Sequence, residues 1–288
     1  MSASLAWIAL SQIPQVSLRM MRALETHFGT LDAVFSASAL ELQAVRGIGR
    51  QIAQAITSLK LEAFRHELEA WQAQGVRVVL HGEADYPAAL LSLDSAPASL
   101  FVLSERWERL KWDKLLAIVG TRSASTHALN LAHALAGAAV ERGYVVVSGL
   151  AWGVDTAAHK GALNANGQTL AVLGGGILKP YPPLNRPLAE LIAASGALIC
   201  ETAPNAEVSA PQLVARNRLI SALARQVVLV EADSDGGALH TVRFGLEQGR
   251  PVWALDTPAT GNQRALQQGA QPLPASASLA ELLARLAL

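Results

Sequence analysis

The amino-acid sequence predicts an α/β fold in which a doubly wound, mostly parallel sheet follows a small all-helical domain. From Leu115 onward, short β-branched runs alternate with longer alanine- and leucine-rich segments, the pattern of strands joined by helical crossovers. Each run is almost wholly apolar, as expected of strands buried on both faces of a parallel sheet. Residues 5–70, in contrast, show helical apolar spacing and contain no strand-like run.

The composition supports a well-packed globular protein. The chain has 288 residues, enough for two domains, and its 51% apolar and 16% charged residues exclude a disordered chain. Because 23 basic residues balance 23 acidic ones, a DNA binder driven by bulk positive charge is also excluded. A positive groove confined to one part of the surface remains compatible with this balance.

The cysteine count and the chain start indicate where the protein works. Cys200 is the single cysteine, which excludes an intramolecular disulfide and a multi-cysteine metal cluster and favours a reducing compartment. No stretch reaches the roughly 20 apolar residues that span a bilayer, and Met1–Ser17 lacks the pattern of a signal peptide. We therefore expect a soluble cytoplasmic protein without a membrane contact.

The helical domain is predicted over residues 1–70. Within it, residues 42–53 predict a helix, a tight glycine turn and a second helix. A connecting segment, residues 71–114, contains two strand candidates, VRVVL and SLFVL, and is expected to pack on the sheet edge.

The sheet domain is predicted over residues 115–288. Its strands are expected at 115–119, 144–148, 169–173, 197–200, 226–231 and 251–255. Its crossover helices are expected at 126–142, 154–166, 184–195, 211–224 and 237–248.

The end of the chain predicts a break and a final helix. The break is expected at Gln271–Pro274, and Ser278 with Glu281 forms a capping box for the helix. A leucine stripe on this helix is expected to cover the core of its own domain, a dimer contact being the alternative; its members are Leu279, Leu282, Leu283 and Leu286.

The residues after each strand are the candidate site, since ligands of open parallel sheets bind beyond the carboxyl ends of the strands. The first strand is followed by Gly120-Thr121-Arg122-Ser123. Glycine lets the backbone approach a ligand, the helix N-terminus offers amides to an anion, and arginine adds a forked cation for phosphate. A capped turn with a surface arginine explains the same residues equally well.

The second and third strand ends add further candidates. Ser148 and Gly149 precede a helix, with the Ser148 hydroxyl placed as a donor. In the alternative interpretation Asp155 caps that helix and His159 is a satisfied helix residue, which is the favoured interpretation for the histidine. The third strand leads into a loop from Lys179 to Arg186 that combines permissive backbone, two cations and an aromatic ring, the ingredients of single-strand binding or of a rigid loop.

The later strand ends carry charged clusters. Arg216-Asn217-Arg218 opens or interrupts a helix, and an ideal helix sets the two arginines about 200° apart, so one of them is expected in an internal salt bridge. The acidic loop from Glu231 to Gly237 is expected to be solvated and to cap the next helix, because it lacks metal-ligand spacing.

Missing motifs exclude several enzyme classes. The sequence has no nucleoside-triphosphatase phosphate loop, no G-x-G-x-x-G turn with an acid for a ribose, and no G-x-S-x-G elbow. We therefore expect no nicotinamide or flavin cofactor and no catalytic constellation.

In their order along residues 115–270, these motifs resemble those of the DNA-processing protein A family (DprA, also called Smf). The series comprises Ala117-Ile118-Val119-Gly120-Thr121-Arg122, Val147-Ser148-Gly149-Leu150-Ala151, Ala158-His159, Ala171-Val172-Leu173-Gly174, Tyr181-Pro182, Arg216-Asn217-Arg218-Leu219-Ile220, Val230-Glu231-Ala232, Gly237-Ala238-Leu239 and Gln248-Gly249-Arg250. The helix–turn–helix around Gly47 resembles the small domain, of the SAM or helix-hairpin-helix kind, that often precedes the sheet in that family.

The resemblance implies an extended Rossmann-like domain that binds and protects single-stranded DNA and loads the RecA recombinase in natural transformation. It also implies a homodimer, and since the sequence stops at Leu288 no winged-helix domain is expected. Trp152 stands where the family usually has an arginine and adds a ring for stacking on a base. The candidate DNA-binding residues are Gly120, Thr121, Arg122, Ser123, Ser148, Gly149, Trp152, Lys179, Asn185, Arg186, Arg216, Asn217 and Arg218.

Two other functions compete with this one. Related Rossmann-like folds sense nucleotides or hydrolyse their N-glycosidic bonds, and Glu201 or Glu231 is then the candidate catalytic acid. A paralogue that has lost DNA binding and serves as an interaction module is the third reading.

Amides around Gly47, flanked by Arg46 and Arg50, offer a second phosphate contact or a protein contact.

Overall fold

The computed structural model describes residues 5–288, which divide into two compact units. The first comprises the chain up to Phe101 together with Glu201–Ala203, and the second comprises Val102–Cys200 and Pro204–Leu288. Residues 1–4, which begin the predicted helical domain, lie outside the described residues.

The first unit is mainly helical. Its helices are α1 (Leu5–Ser11), α2 (Leu18–Phe28), α3 (Leu31–Val34), α4 (Ala39–Gln43), α5 (Arg50–Ser58) and α6 (Leu61–Ala73). They bury an apolar core that includes Leu10, Met21, Leu24, Leu42 and Ile56. The two strand candidates of the connecting segment form β1 (Arg77–Leu80) and β2 (Ser99–Leu103), which are neighbours.

The predicted helix–turn–helix is present as α4 and α5. The turn between them is tight because Gly47 adopts a φ of 95°, a conformation that L side chains rarely take. Ile48 is buried in the core, while Arg46 and Arg50 are exposed beside the turn.

The second unit contains a parallel sheet. Its strands are β3 (Leu115–Val119), β4 (Val145–Ser148), β5 (Thr169–Val172), β6 (Ala197–Cys200), β7 (Gln226–Leu229), β8 (Val252–Asp256) and β9 (Gln271–Pro274). They lie in the order β6-β5-β4-β3-β7-β8-β9, so the chain order reverses at β3. There, Ala117 pairs with Val147 on one side and with Val227 on the other.

Helices connect these strands. They are α7 (Thr126–Glu141), α8 (Val154–Asn164), α9 (Arg186–Ser195), α10 (Ala210–Leu223), α11 (Ala238–Glu247), α12 (Thr260–Gln267) and α13 (Leu279–Arg285). Leu116 and Ile118 of β3 belong to one core cluster with α7, α8 and α13. The alternating residues Leu115 and Ala117 point to the other face and are also buried, so both faces of the sheet are covered. The predicted fold, a doubly wound parallel sheet preceded by a helical domain, is confirmed.

Two elements differ from the sequence prediction. The segment Gln271–Pro274, predicted as a break, is the edge strand β9, in which Leu273 pairs with Leu255. Proline fits an edge strand because one side of that strand needs no donor. The polar helix α12 was not predicted at all.

The final helix matches its prediction. Ser278 and Glu281 form the capping box, and three leucines of the stripe are buried in the core cluster of α7 and α8 with Leu279 packed against it; the three are Leu282, Leu283 and Leu286. The stripe therefore covers the core of its own unit.

Helices α7 and α8 approach closely through small residues. A Cβ atom on Gly161 of α8 would overlap the carbonyl oxygen of His133 on α7. Gly137, across the same contact, would place a Cβ atom 3.5 Å from the Gly161 carbonyl oxygen, an ordinary van der Waals distance. The two glycines therefore differ in whether they need to be glycine.

We predict that Gly161→Ala lowers the free energy of unfolding by about 1–3 kcal/mol, because the added methyl group forces the helices apart. Gly137→Ala is the matched control and is expected to stabilise by about 0.5–1 kcal/mol, since alanine is the better helix former. Urea denaturation of both variants measures the difference. Equal effects of the two substitutions would contradict the close contact described here.

Candidate functional site

A cleft of about 380 Å³ lies at the carboxyl end of the sheet in the second unit. Its position beside β3 is the point where the strand order reverses, which is where open parallel sheets bind ligands. The walls come from the turn after β3, the start of α8, the middle of α10 and the start of α11; they include Thr121, Arg122, Ser123, Asp155, Arg216, Asn217, Asp233 and Thr241.

The Arg216 side chain is buried at the floor of the cleft, with only 5% of its surface exposed. Its Nη1 donates to the carbonyl oxygens of Gly149, at 2.8 Å, and Val172, and its Nε donates to Asn217 Oδ1 at 3.2 Å. Gly149 follows β4 and Val172 is the last residue of β5, so one guanidinium joins the ends of two strands. Arg216 lies within the continuous helix α10, where the sequence predicted the opening or interruption of a helix.

Asp155 provides the negative charge opposite Arg216. Burial raises the pKa of the Asp155 carboxyl, and the Arg216 guanidinium together with hydrogen bonds opposes that rise. Burial likewise lowers the pKa of Arg216 to about 10, while Asp155 acts to raise it. Asp155 Oδ2 accepts the amides of Gly149, at 3.1 Å, and Ala151, at 3.4 Å. Asp155 therefore holds the turn after β4. The alternative in which it caps α8 is wrong.

Two glycines of the site are needed for packing. A Cβ atom on Gly149 would lie 2.5 Å from the Arg216 guanidinium. A Cβ atom on Gly120 would lie 2.5 Å from Val154 Cγ2 and 2.7 Å from the Glu231 carbonyl oxygen. Both positions exclude a side chain because protein atoms already fill the space.

His159 is wholly buried in α8. Thr169 Oγ1 donates to the Val146 carbonyl oxygen, so it accepts from His159 Nδ1 at 2.7 Å. The imidazole Nε2 then carries a lone pair and has no hydrogen-bond partner among the described residues. Burial, together with the charge of Arg216, lowers the pKa of His159 to about 3, so the ring is neutral near pH 7. The prediction of a satisfied helix histidine is confirmed for Nδ1 only.

The turn after β3 uses much of its hydrogen-bonding capacity internally. Thr121 N donates to the Glu231 carbonyl oxygen at 2.7 Å, and Ser123 N donates to Thr121 Oγ1 at 3.2 Å. The Glu231 carboxylate accepts both Ser125 N, at 2.8 Å, and Ser125 Oγ, at 2.6 Å. These three amides are therefore not available to an anion in the way the sequence suggested.

The Arg122 side chain is the exposed cation of the cleft. It is solvent-exposed, and within residues 5–288 it makes no ion pair with a carboxylate. Thr121 beside it is buried and donates from Oγ1 to Asp233 Oδ2 at 2.9 Å. Anion attraction at this turn therefore comes from the Arg122 guanidinium, with the exposed Ser123 hydroxyl next to it.

The remaining candidate residues divide into buried and exposed groups. Ser148 Oγ is buried and donates to the Ile118 carbonyl oxygen at 2.7 Å, and Asn185 Nδ2 is buried and donates to the Leu150 carbonyl oxygen at 2.8 Å. Ser148 therefore joins β4 to β3 and Asn185 holds the loop after β4, so neither side chain is open to DNA as the sequence predicted.

Three of the predicted cations are not among the residues that line the cleft, namely Lys179, Arg186 and Arg218. Lys179 is exposed and pairs with Glu207 at 2.6 Å, and Arg186 is exposed and pairs with Glu190 at 3.4 Å. Arg218 is half-buried and donates to the Ala215 carbonyl oxygen at 3.3 Å. The structure therefore brings Arg122, Arg216 and Asn217 together, but not these cations.

The acidic loop is exposed at Asp233, Ser234 and Asp235, as predicted, but it does not cap the next helix. Helix α11 begins at Ala238, and its N-cap residue Gly237 provides no side-chain cap. Asp233 instead accepts from Thr121, and Asp235 lies 3.8 Å from Arg264. No group of three or more His, Cys, Asp or Glu side chains in the described chain is arranged to hold a metal ion. Similarly, none of the helices between residues 5 and 288 has the length and apolarity needed to cross a membrane.

Comparison with known proteins places the chain in a family. The family model for DNA recombination-mediator protein A matches residues 77–284, and a helix-hairpin-helix model matches residues 6–62. The chain belongs to the DNA recombination-mediator protein A family. The resemblance to DprA and Smf found in the sequence is therefore confirmed.

Individual relatives agree with this assignment. Protein Smf of Synechocystis is 34% identical over 253 residues, which cover 86% of this chain and 63% of that protein, so the chain spans about three fifths of this relative. The DNA processing protein DprA of Bacillus subtilis is 33% identical over 72% of this chain and 71% of its own.

Solved structures show the same fold. DprA from Streptococcus pneumoniae superposes with a TM-score of 0.80 and 25% identity over 99% of this chain and 98% of its own. DprA from Helicobacter pylori gives a TM-score of 0.65 at 24% identity over 74% of this chain and 95% of its own.

The structure adds to the site of this DprA-family protein two residues that the sequence did not propose as DNA-binding. Asp233 and Thr241 line the cleft, the first from the loop after β7 and the second from α11. Their position follows from the parallel pairing of β7 with β3, which the sequence pattern alone does not reveal. The small Gly236 and Gly237 that open this wall were the available signal.

We predict that Arg216→Met lowers the free energy of unfolding by about 3–5 kcal/mol, because it leaves the Asp155 carboxylate buried without its countercharge. Asp155→Asn removes the charge and replaces the carboxylate with an amide of similar size. The double variant is expected to lose less than the sum of the two single losses, as measured by urea denaturation. Strictly additive losses would show that the two charges are not coupled.

Proposed function

We propose that this protein binds single-stranded DNA at the strand-end cleft and protects it, without catalysing a reaction on it. The observation that carries the proposal is the exposed guanidinium of Arg122, free of any acidic partner in the described chain, at the mouth of the cleft. A guanidinium of this kind offers a phosphate oxygen two parallel donors. The H. pylori relative, which shares the fold, has a described single-stranded DNA binding mode.

The proposed contact is electrostatic and positional. The formal charge of the chain is zero, so a strand is held by cations placed at the cleft and not by a general positive field. The buried Arg216 supports this contact indirectly, because it fixes the backbone of the turn after β4, which packs against the turn that carries Arg122. Phosphate contacts of this kind depend little on base sequence.

We also propose that the bound strand is handed to the RecA recombinase in natural transformation, with the protein acting as a homodimer in the cytoplasm. Membership of the DNA recombination-mediator protein A family supports this step. The measurement is the rate of RecA assembly on a strand coated by single-strand binding protein. A rate that stays the same when the protein is added would reject it.

A nucleotide-hydrolysing function is not favoured by the site. Both carboxylate oxygens of Glu231, a candidate acid, accept hydrogen bonds from Ser125 at the start of α7. This carboxylate therefore links β7 to α7 and has a structural partner already.

We predict that Arg122→Ala weakens binding of a labelled oligothymidylate at least about tenfold, the value of one charge-assisted hydrogen bond. The slope of log affinity against log salt concentration is expected to fall by about 0.7, because one phosphate contact on a single strand is lost. Fluorescence anisotropy at several salt concentrations measures both quantities.

The matched control is Arg142→Ala. Arg142 is also exposed and lies at the opposite end of α7, about 24 Å away along the helix axis. It is expected to leave affinity and salt slope unchanged. If both variants bound like the unmodified chain, the proposed cleft would not be the DNA site.

A further inference from the structure

A second groove adjoins the strand-end cleft between α7 and α8. It encloses about 490 Å³, within the range of ligand-binding clefts, and it shares Arg122 and Ser123 with the first cleft. Leu129 and His133 of α7 form one wall, and Ala157 and Lys160 of α8 form the other. The two clefts therefore meet at the proposed phosphate contact.

Trp152 stands at the mouth of this groove with an unusual exposure for its size. Its side chain is 42% exposed, although an indole ring normally buries its large apolar surface. In the described residues its indole N–H has no hydrogen-bond partner. A large ring face is therefore presented to solvent directly beside Arg122.

The spacing between Trp152 and Arg122 is fixed by the backbone. Val154 N donates to the Thr121 carbonyl oxygen at 3.2 Å, and Gly153 has a φ of 77° with no room for a side chain against that same turn. The turns after β3 and β4 are thus packed against each other. The backbone segments that carry the cation and the ring are therefore held side by side before a strand binds.

The charges of the groove are those of an anion-binding surface. Arg122 and Lys160 line it, and no carboxylate is among its lining residues. Lys160 is exposed and has no ion-pair partner in the described part of the chain. It lies two turns along α8 from Gly153, a distance of about 10 Å.

We propose that this groove carries the DNA strand beyond the Arg122 phosphate, with one base stacked on Trp152 and a following phosphate held by Lys160. The proposal rests on the proposed function, since it needs a strand already bound at Arg122. A groove that combines cations with an aromatic face is the arrangement that proteins use to bind single strands regardless of sequence. The groove thereby gives the strand a direction, from the strand-end cleft along α8.

The test uses the full chain and a labelled oligothymidylate of about 12 nucleotides, within the usual site size of single-strand binders. Trp152→Ala is expected to weaken binding about 5- to 150-fold, the range of one stacked base, whereas Trp152→Phe keeps a ring and recovers most of the affinity. Lys160→Ala is expected to lower the salt slope by about 0.7. Lys111→Ala, which removes an exposed lysine near Gly143 at the far end of α7, is the control and leaves both unchanged.

A second probe separates stacking from charge. A strand of the same length without bases keeps every phosphate, so the unmodified protein is expected to prefer oligothymidylate over it, and Trp152→Ala to lose that preference by the same factor as its affinity. If Arg122→Ala abolishes binding while Trp152→Ala and Lys160→Ala bind normally, the groove is overturned and the proposed function stands. If the unmodified protein binds neither strand, the proposed function falls and the groove falls with it.

Discussion

The burial of the Arg216 guanidinium constrains the rest of the site. A buried charge is tolerated only when its donors are satisfied and a countercharge is near, and Gly149, Val172 and Asn217 accept its hydrogen bonds while Asp155 supplies the charge. Because two of these acceptors are backbone carbonyls at neighbouring strand ends, the position of one side chain sets the shape of the cleft floor. The exposed Arg122 and Trp152 lie on turns that rest on this cleft floor.

Much of the fold could be predicted because its strands are buried on both faces. Such strands are continuous apolar runs, and the six that were predicted in the sheet domain all exist within one or two residues of their expected bounds. The edge strand Gln271–Pro274 escaped prediction because one of its sides needs no hydrogen-bond donors, so prolines were tolerated there. The polar helix Thr260–Gln267 escaped because it has few apolar residues to show a period.

The site was predicted only as far as local sequence determines it. Arg122 lies in the turn directly after β3, and parallel topology was enough to expect it at the carboxyl edge of the sheet, whereas Asn217 reaches the same cleft from the middle of α10. Which groups remain open to a ligand depends on residues distant in sequence. Glu231 accepts the Ser125 amide, and Arg216 donates to the Gly149 carbonyl oxygen. Each of these hydrogen bonds joins positions more than sixty residues apart, and no sequence motif indicates them.

Gly153 has a positive φ and packs against Thr121, and this contact holds the backbone of the turn after β4. The side chain of the neighbouring residue, Trp152, is exposed. The side chain there can consequently diverge without disturbing the scaffold beneath it. An arginine at position 152 would bind a strand through its charge, so its contribution to affinity would fall as ionic strength rises. An indole binds a base by stacking, and that contribution is far less sensitive to salt. In the proposed complex, the residue at position 152 therefore sets how strongly the binding of a strand depends on ionic strength.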